Sequence, residues 1–174
     1  KLKELNDYTD GYNFATAVSK YWEGYDTGND VLKENALKWL RGEYTSKIET
    51  MRDLSIREYI NDAAFYNSLK LYSILVRKAG YKGLLINLDE MVNLYKIPTC
   101  VSRKSNYEVI LNILNDTLQG NLSGIGFVMG GTPDFLTDSY RGLYSYEALR
   151  SRLSENSFSS VLGLIDYNST VLRL

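Results

Sequence analysis

Histidine is absent from all 174 residues, and cysteine occurs once, as Cys100. The first absence excludes Ser-His-Asp and Cys-His catalysis and every His-ligated metal site. It also leaves Cys100 without the base that usually activates a thiol nucleophile. One cysteine cannot form an intrachain disulfide, so a reduced, cytoplasmic setting is expected. No apolar run approaches the ~20 residues a membrane helix needs, and no membrane partner is expected. The opening Lys1-Leu2-Lys3-Glu4 does not read as a signal peptide. Proline occurs only twice and hydrophobic residues make up 44%, which is not a disordered composition. A net charge of -1 gives no global attraction to nucleic acid. DNA therefore stays open as a partner only through a local basic patch.

What is present reads as one domain with two textures. Residues 1–80 are mainly helical by pattern. Phe14, Val18, Tyr21, Trp22 and Tyr25 fall at helical spacing and predict one apolar face. Asn29 or Asp30 can cap a following helix that presents Val31, Leu32, Ala36, Trp39 and Leu40. Ser55-Ile-Arg-Glu58 has the capping-box form and predicts a long helix to Ala79, with Phe65, Leu69, Tyr72, Val76 and Ala79 on its face and Gly80 ending it.

From residue 81 onward the pattern is strand, helix, strand, helix. Leu84–Leu88 and Ile125–Met129 are short apolar runs of the kind buried in parallel sheets. A helix is expected from Ser105 to Gln119 between them, and another near Tyr146 to Leu153 with Ser145 as its cap. Val171–Leu174 has the composition of a last strand. This order is α/β.

Three places can carry chemistry. Leu84-Leu85-Ile86-Asn87-Leu88-Asp89-Glu90 brings two adjacent carboxylates to the C-terminal end of a buried strand, where open α/β sheets bind ligands. In P-loop ATPases this is the Walker B arrangement. The aspartate holds Mg²⁺ and the glutamate polarises the attacking water. The plain alternative is a helix start, since acids favour helix N-termini. Gly130-Gly131-Thr132-Pro133 follows the second strand. Thr132 stands where a polar side chain can bond the γ-phosphate, the position called sensor 1 in AAA+ proteins; a tight turn explains the same residues. Arg150-Ser151-Arg152 ends a predicted helix and offers an arginine finger, or merely cations at a helix C-terminus.

Read together, these stretches resemble the P-loop ATP-binding proteins of BREX phage-defence systems, formerly a domain of unknown function. Those proteins are relatives of the origin-recognition branch of AAA+ ATPases. The resemblance is carried by Gly11-Tyr-Asn-Phe14, Trp39-Leu-Arg-Gly-Glu43, Ala79-Gly-Tyr-Lys-Gly-Leu-Leu-Ile86 with Leu88-Asp89-Glu90, Gly126-Phe-Val-Met-Gly-Gly-Thr-Pro-Asp-Phe135 and Arg141-Gly-Leu-Tyr-Ser-Tyr-Glu-Ala-Leu-Arg-Ser-Arg-Leu153. It implies a partial three-layer P-loop AAA+ core in a bacterial antiviral ATPase. ATP and Mg²⁺ are the implied cofactors, with Asp89 on the metal, Glu90 as base and Thr132 as sensor 1. Arg152 is the first choice for the finger, followed by Arg150 and Arg141. The implied partners are further copies of the chain or other defence subunits.

One departure stands out: G-x-x-x-x-G-K-[ST], the loop that cradles phosphates, is nowhere in the sequence. The expectation is a fragment of the ATPase core that is inactive alone, with the loop upstream of Lys1 and a helical lid after Leu174. A non-enzymatic scaffolding module with a degenerate ATPase half is the alternative.

Overall fold

A computed structural model describes residues 2–153 and 170–172. The chain divides into two compact units, residues 1–84 and 85–174, at the change of pattern around Gly83.

The first unit is helical. After a 3₁₀ turn (Lys3–Asp7) come α1 (Gly11–Thr27), α2 (Asp30–Leu40), α3 (Lys47–Leu54) and α4 (Phe65–Lys78). Gly28, at φ 67°, ends α1, and the Asn29 side chain accepts from Leu32 N to open α2, so the turn between them is minimal. The core gathers Phe14, Ala17, Val18, Ala36, Trp39, Tyr44, Leu54, Ile56 and Leu71. The Phe14 ring meets Trp39 and Tyr72 edge-on, with centroids 6.5 and 5.0 Å away. Trp39 Nε1 donates to the Glu58 carbonyl at 2.8 Å, and the Tyr72 hydroxyl donates to that of Leu40. Burial pushes the Tyr72 phenol up to about 12.

Three expectations for this unit are corrected. Trp22 and Tyr25 are exposed and do not join the apolar face of α1. Near its C-terminus α1 meets α2 through Gly24, where a Cβ would stand 2.8 Å from Lys33 N. At 100° per residue this contact turns Trp22 and Tyr25 away, and they stack edge-on with each other. Nor does Ser55 open a helix: at φ 60° it closes α3, and Ile56 then drops into the core. The chain stays irregular until Asn61, whose side chain accepts from Ala64 N and leads into α4. In α4 Ser68, Leu71 and Ser73 are buried, while Phe65, read as part of its apolar face, is exposed. Gly80, at φ 98°, follows the end of α4, as read.

The second unit runs β1 (Leu84–Leu88), α5 (Val92–Lys96), α6 (Cys100–Leu118), β2 (Ile125–Met129), α7 (Pro133–Thr137), a 3₁₀ turn (Leu143–Ser145) and α8 (Glu147–Arg152). The strands are adjacent and parallel, joined by the crossover that contains α6. Their bounds are those of the two apolar runs. The sheet is not buried on both faces, however, because Leu85 and Val128 are exposed. The fold is thus mixed α and β, with a two-stranded parallel sheet among the described residues.

The core of this unit joins Met91, Tyr107, Ile110, Phe135, Leu143, Leu149 and Leu153. Helix α6 starts at Cys100 rather than Ser105, because Pro98 holds Ile97 extended and Thr99 follows in the extended form of an N-cap. Ser145 does not cap α8: its hydroxyl donates to the Gly142 carbonyl at 2.6 Å, and Tyr146 occupies the N-cap without a side-chain bond. Val171 and Leu172 have no regular structure, and the rest of the last strand read there lies outside the described residues. No described helix is long and apolar enough to cross a membrane.

Candidate functional site

Asp89-Glu90 follow the end of β1, where the apolar run stops. In a regular parallel ladder, the residue of β2 that donates to Leu88 would accept from residue 90. Gly130 N does donate to the Leu88 carbonyl at 2.9 Å, but the Gly130 carbonyl accepts from Met91, also at 2.9 Å. Glu90 is therefore an extra residue, displaced from the ladder. Its φ of 53° is left-handed, which costs a non-glycine residue about 1–2 kcal/mol. The amide it withdraws from the ladder donates to Asp89 Oδ1 at 2.7 Å. One bond thus satisfies the displaced backbone and orients the aspartate. The Glu90 carboxylate accepts from Asn93 Nδ2 at 3.2 Å, and both acids are exposed.

The end of β2 completes this edge. A Cβ on Gly130 would lie 3.0 Å from Asp89 Oδ1, and one on Gly131 would lie 2.7 Å from the Phe135 ring. The two glycines let the turn pass between the aspartate and the ring. Thr132 is extended, as Pro133 requires, and its Oγ1 accepts from Phe135 N at 3.4 Å to cap α7. Pro133 takes the first helical position, where its missing N–H costs nothing. Asp89 and Glu90 leave one strand, and Thr132 leaves the strand beside it, at the same end of the sheet.

The chemistry of the donor set fits magnesium. Asp89 Oδ2 accepts no hydrogen bond from the described residues. One exposed carboxylate is what Mg²⁺ usually takes from a protein, since it keeps waters and phosphate oxygens for its other positions. Among the described residues no cluster of three or more acidic, cysteine or histidine ligands stands ready to cage a metal without phosphate.

The arginines differ in availability. Arg150 is exposed. Arg152 donates from Nε to Asn115 Oδ1 and from Nη1 to the Ala148 carbonyl, both at 2.8 Å. Arg141 faces inward: Nη2 donates to the carbonyls of Tyr95 and Ile97 at 3.0 and 3.1 Å, and the guanidinium lies 5.4 Å from the Tyr95 ring centre. Asn115, Tyr95 and Asp138 were not singled out from sequence. Each acts through a partner more than thirty positions away, which no local pattern signals.

No curated protein and no solved structure matches the chain. A family model does, over residues 1–174, and it describes the BREX system ATP-binding proteins BrxC/D. With a match over its full length, the chain belongs to the family of BREX system ATP-binding proteins BrxC/D.

Proposed function

We propose that these residues carry the magnesium-binding and water-activating half of an AAA+ type ATPase site that serves phage defence. The supporting observation is the parallel strand pair whose neighbouring ends carry Asp89-Glu90 and Thr132. Membership of a family of ATP-binding proteins supplies the nucleotide. The phosphate-cradling loop comes from sequence outside these 174 residues, because no such motif occurs within them. Without it, this chain alone is inactive.

Bound magnesium neutralises phosphate charge. Asp89 would hold it by its carboxylate, whose Oδ1 accepts from the Glu90 amide. Glu90 takes a proton from the attacking water as the water oxygen bonds the γ-phosphorus and the bond from that phosphorus to the β,γ-bridging oxygen breaks, releasing ADP. Its displacement from the ladder puts the carboxylate beyond the strand end. The Thr132 hydroxyl accepts from Phe135 N, which leaves its own proton to donate to a γ-phosphate oxygen. An arginine from a second subunit, Arg152 in the first instance, stabilises the charge on the transferring group.

The test is magnesium dependence of ATP hydrolysis by the protein that includes the phosphate loop. Asp89→Asn removes the metal-binding charge and should raise the magnesium needed for half-maximal rate roughly 10–100-fold, the worth of one charge-assisted contact. An unchanged magnesium requirement would contradict the assignment.

A further inference from the structure

The loops that leave β1 and β2 are tied together behind the carboxylates. The Tyr95 hydroxyl, on α5, donates to Asp138 Oδ2 at 2.8 Å, just past α7. Asp138 Oδ1 accepts from the amides of Tyr140 and Arg141 at 2.7 and 3.1 Å, so the same carboxylate shapes the turn that presents Arg141. Arg141 then returns to α5, gripping the Tyr95 and Ile97 carbonyls and covering the Tyr95 ring. Arg103, buried on α6, donates to the same Ile97 carbonyl at 2.8 Å. The Tyr107 hydroxyl, also on α6, donates to the Arg141 carbonyl at 2.6 Å.

We infer that Tyr95, Asp138 and Arg141 form a latch that fixes the Glu90 loop against the Thr132 loop, and that all three are positioning residues for hydrolysis. The catalytic part of this inference rests on the ATPase reading above. Tyr95 lies five positions after Glu90, and Asp138 six after Thr132, so each tie acts close to a reacting group. The bonds that Glu90 itself makes among the described residues are local: its amide donates to Asp89 Oδ1, and its carbonyl and carboxylate accept from Asn93. The carboxyl of Asp138 is held below its ordinary range, first by the Tyr140 amide and then by the Tyr95 hydroxyl and the Arg141 amide, so it serves as an ionised acceptor at neutral pH. The same bond to Asp138 pushes the Tyr95 phenol up and keeps it a donor. Arginine suits this place because its planar fork reaches two carbonyls and an aromatic face at once, which lysine cannot.

The experiment uses the protein that includes the phosphate loop, with Tyr95→Phe, which keeps the ring, and Arg141→Lys beside Arg141→Ala. Two readouts are followed: steady-state hydrolysis, and amide exchange over 90–97 and 131–141. The latch predicts that Tyr95→Phe lowers kcat about tenfold with KM for ATP changed less than twofold, as small misplacement of a base does. Both segments exchange faster together, while α6 keeps its protection. Arg141→Lys recovers part of what Arg141→Ala loses. Unchanged kcat in Tyr95→Phe and Arg141→Ala, or exchange that rises in one segment only, overturns the inference. So does a kcat loss that follows only the fraction of folded protein. If the unmutated protein hydrolyses no ATP, the ATPase reading fails, and the exchange data still decide whether the latch exists.

Discussion

Replacing Glu90 with glutamine in the complete ATPase should leave ATP bound and reduce hydrolysis by roughly 10²–10⁴-fold, the usual worth of a positioned base. Glutamine keeps the size and the hydrogen-bonding reach toward Asn93, so the loop holds its shape. What is lost is the capacity to take a proton from water. Nucleotide affinity should change little, because Asp89 and the phosphate loop are untouched. Parallel assays of nucleotide binding and phosphate release separate the two effects. Unchanged turnover would mean that another group activates the water and that the left-handed Glu90 serves only to turn the chain.

Arg152→Ala should cost more in an assembled protein, on the order of 10³–10⁵-fold in rate, if its guanidinium reaches a neighbour's nucleotide. The side chain is tied to Asn115 and to its own helix, so a finger must leave Asn115 when the partner subunit presents phosphate. Comparing Arg152→Ala with Asn115→Ala separates this role from a structural one, since only a finger makes the two differ in turnover. For a finger, losing Asn115 frees the arginine and hydrolysis is retained. For a tie between α6 and α8, either change lowers stability by about 1 kcal/mol and spares turnover. Mixing gives a second test. Arg152→Ala subunits keep Glu90, and Glu90→Gln subunits keep Arg152, so some mixed interfaces are complete and activity should partly return. Full activity of Arg152→Ala alone would move the assignment to exposed Arg150. Arg141 is the poorer successor, since its guanidinium is committed to two carbonyls of its own chain.

The strands were legible because their limits are chemical. Leu84–Leu88 lies between Gly83 and Asp89, and Ile125–Met129 between Gly124 and Gly130, so apolar side chains stop where the sheet stops. The Asn29 cap was legible for a similar reason, since a short polar side chain before an apolar run has few other uses. The break between α3 and α4 was not. Ser55-Ile-Arg-Glu58 carries a capping pattern, yet burial of Ile56 outweighs a cap worth about 1 kcal/mol. The face of α1 was half legible: Phe14 and Val18 are inside, but the approach at Gly24 decides where Trp22 and Tyr25 point. At the site the pair Asp89-Glu90 was readable as a local motif. The displacement of Glu90 from the ladder was not, because it depends on which residue of β1 meets Gly130. The ties from Arg141 to Tyr95 and Ile97 span 46 and 44 positions and exist only once the chain has folded.

The central claim is that the paired ends of β1 and β2 form the magnesium and hydrolysis edge of an ATPase. A structure of the protein that includes the phosphate loop, with Mg²⁺ and a non-hydrolysable ATP analogue bound, tests it most directly. The account predicts the metal on the Asp89 carboxylate, directly or through one water, with Glu90 and Thr132 facing the γ-phosphate. Nucleotide and metal bound elsewhere, with Asp89 and Glu90 turned to solvent, would contradict it.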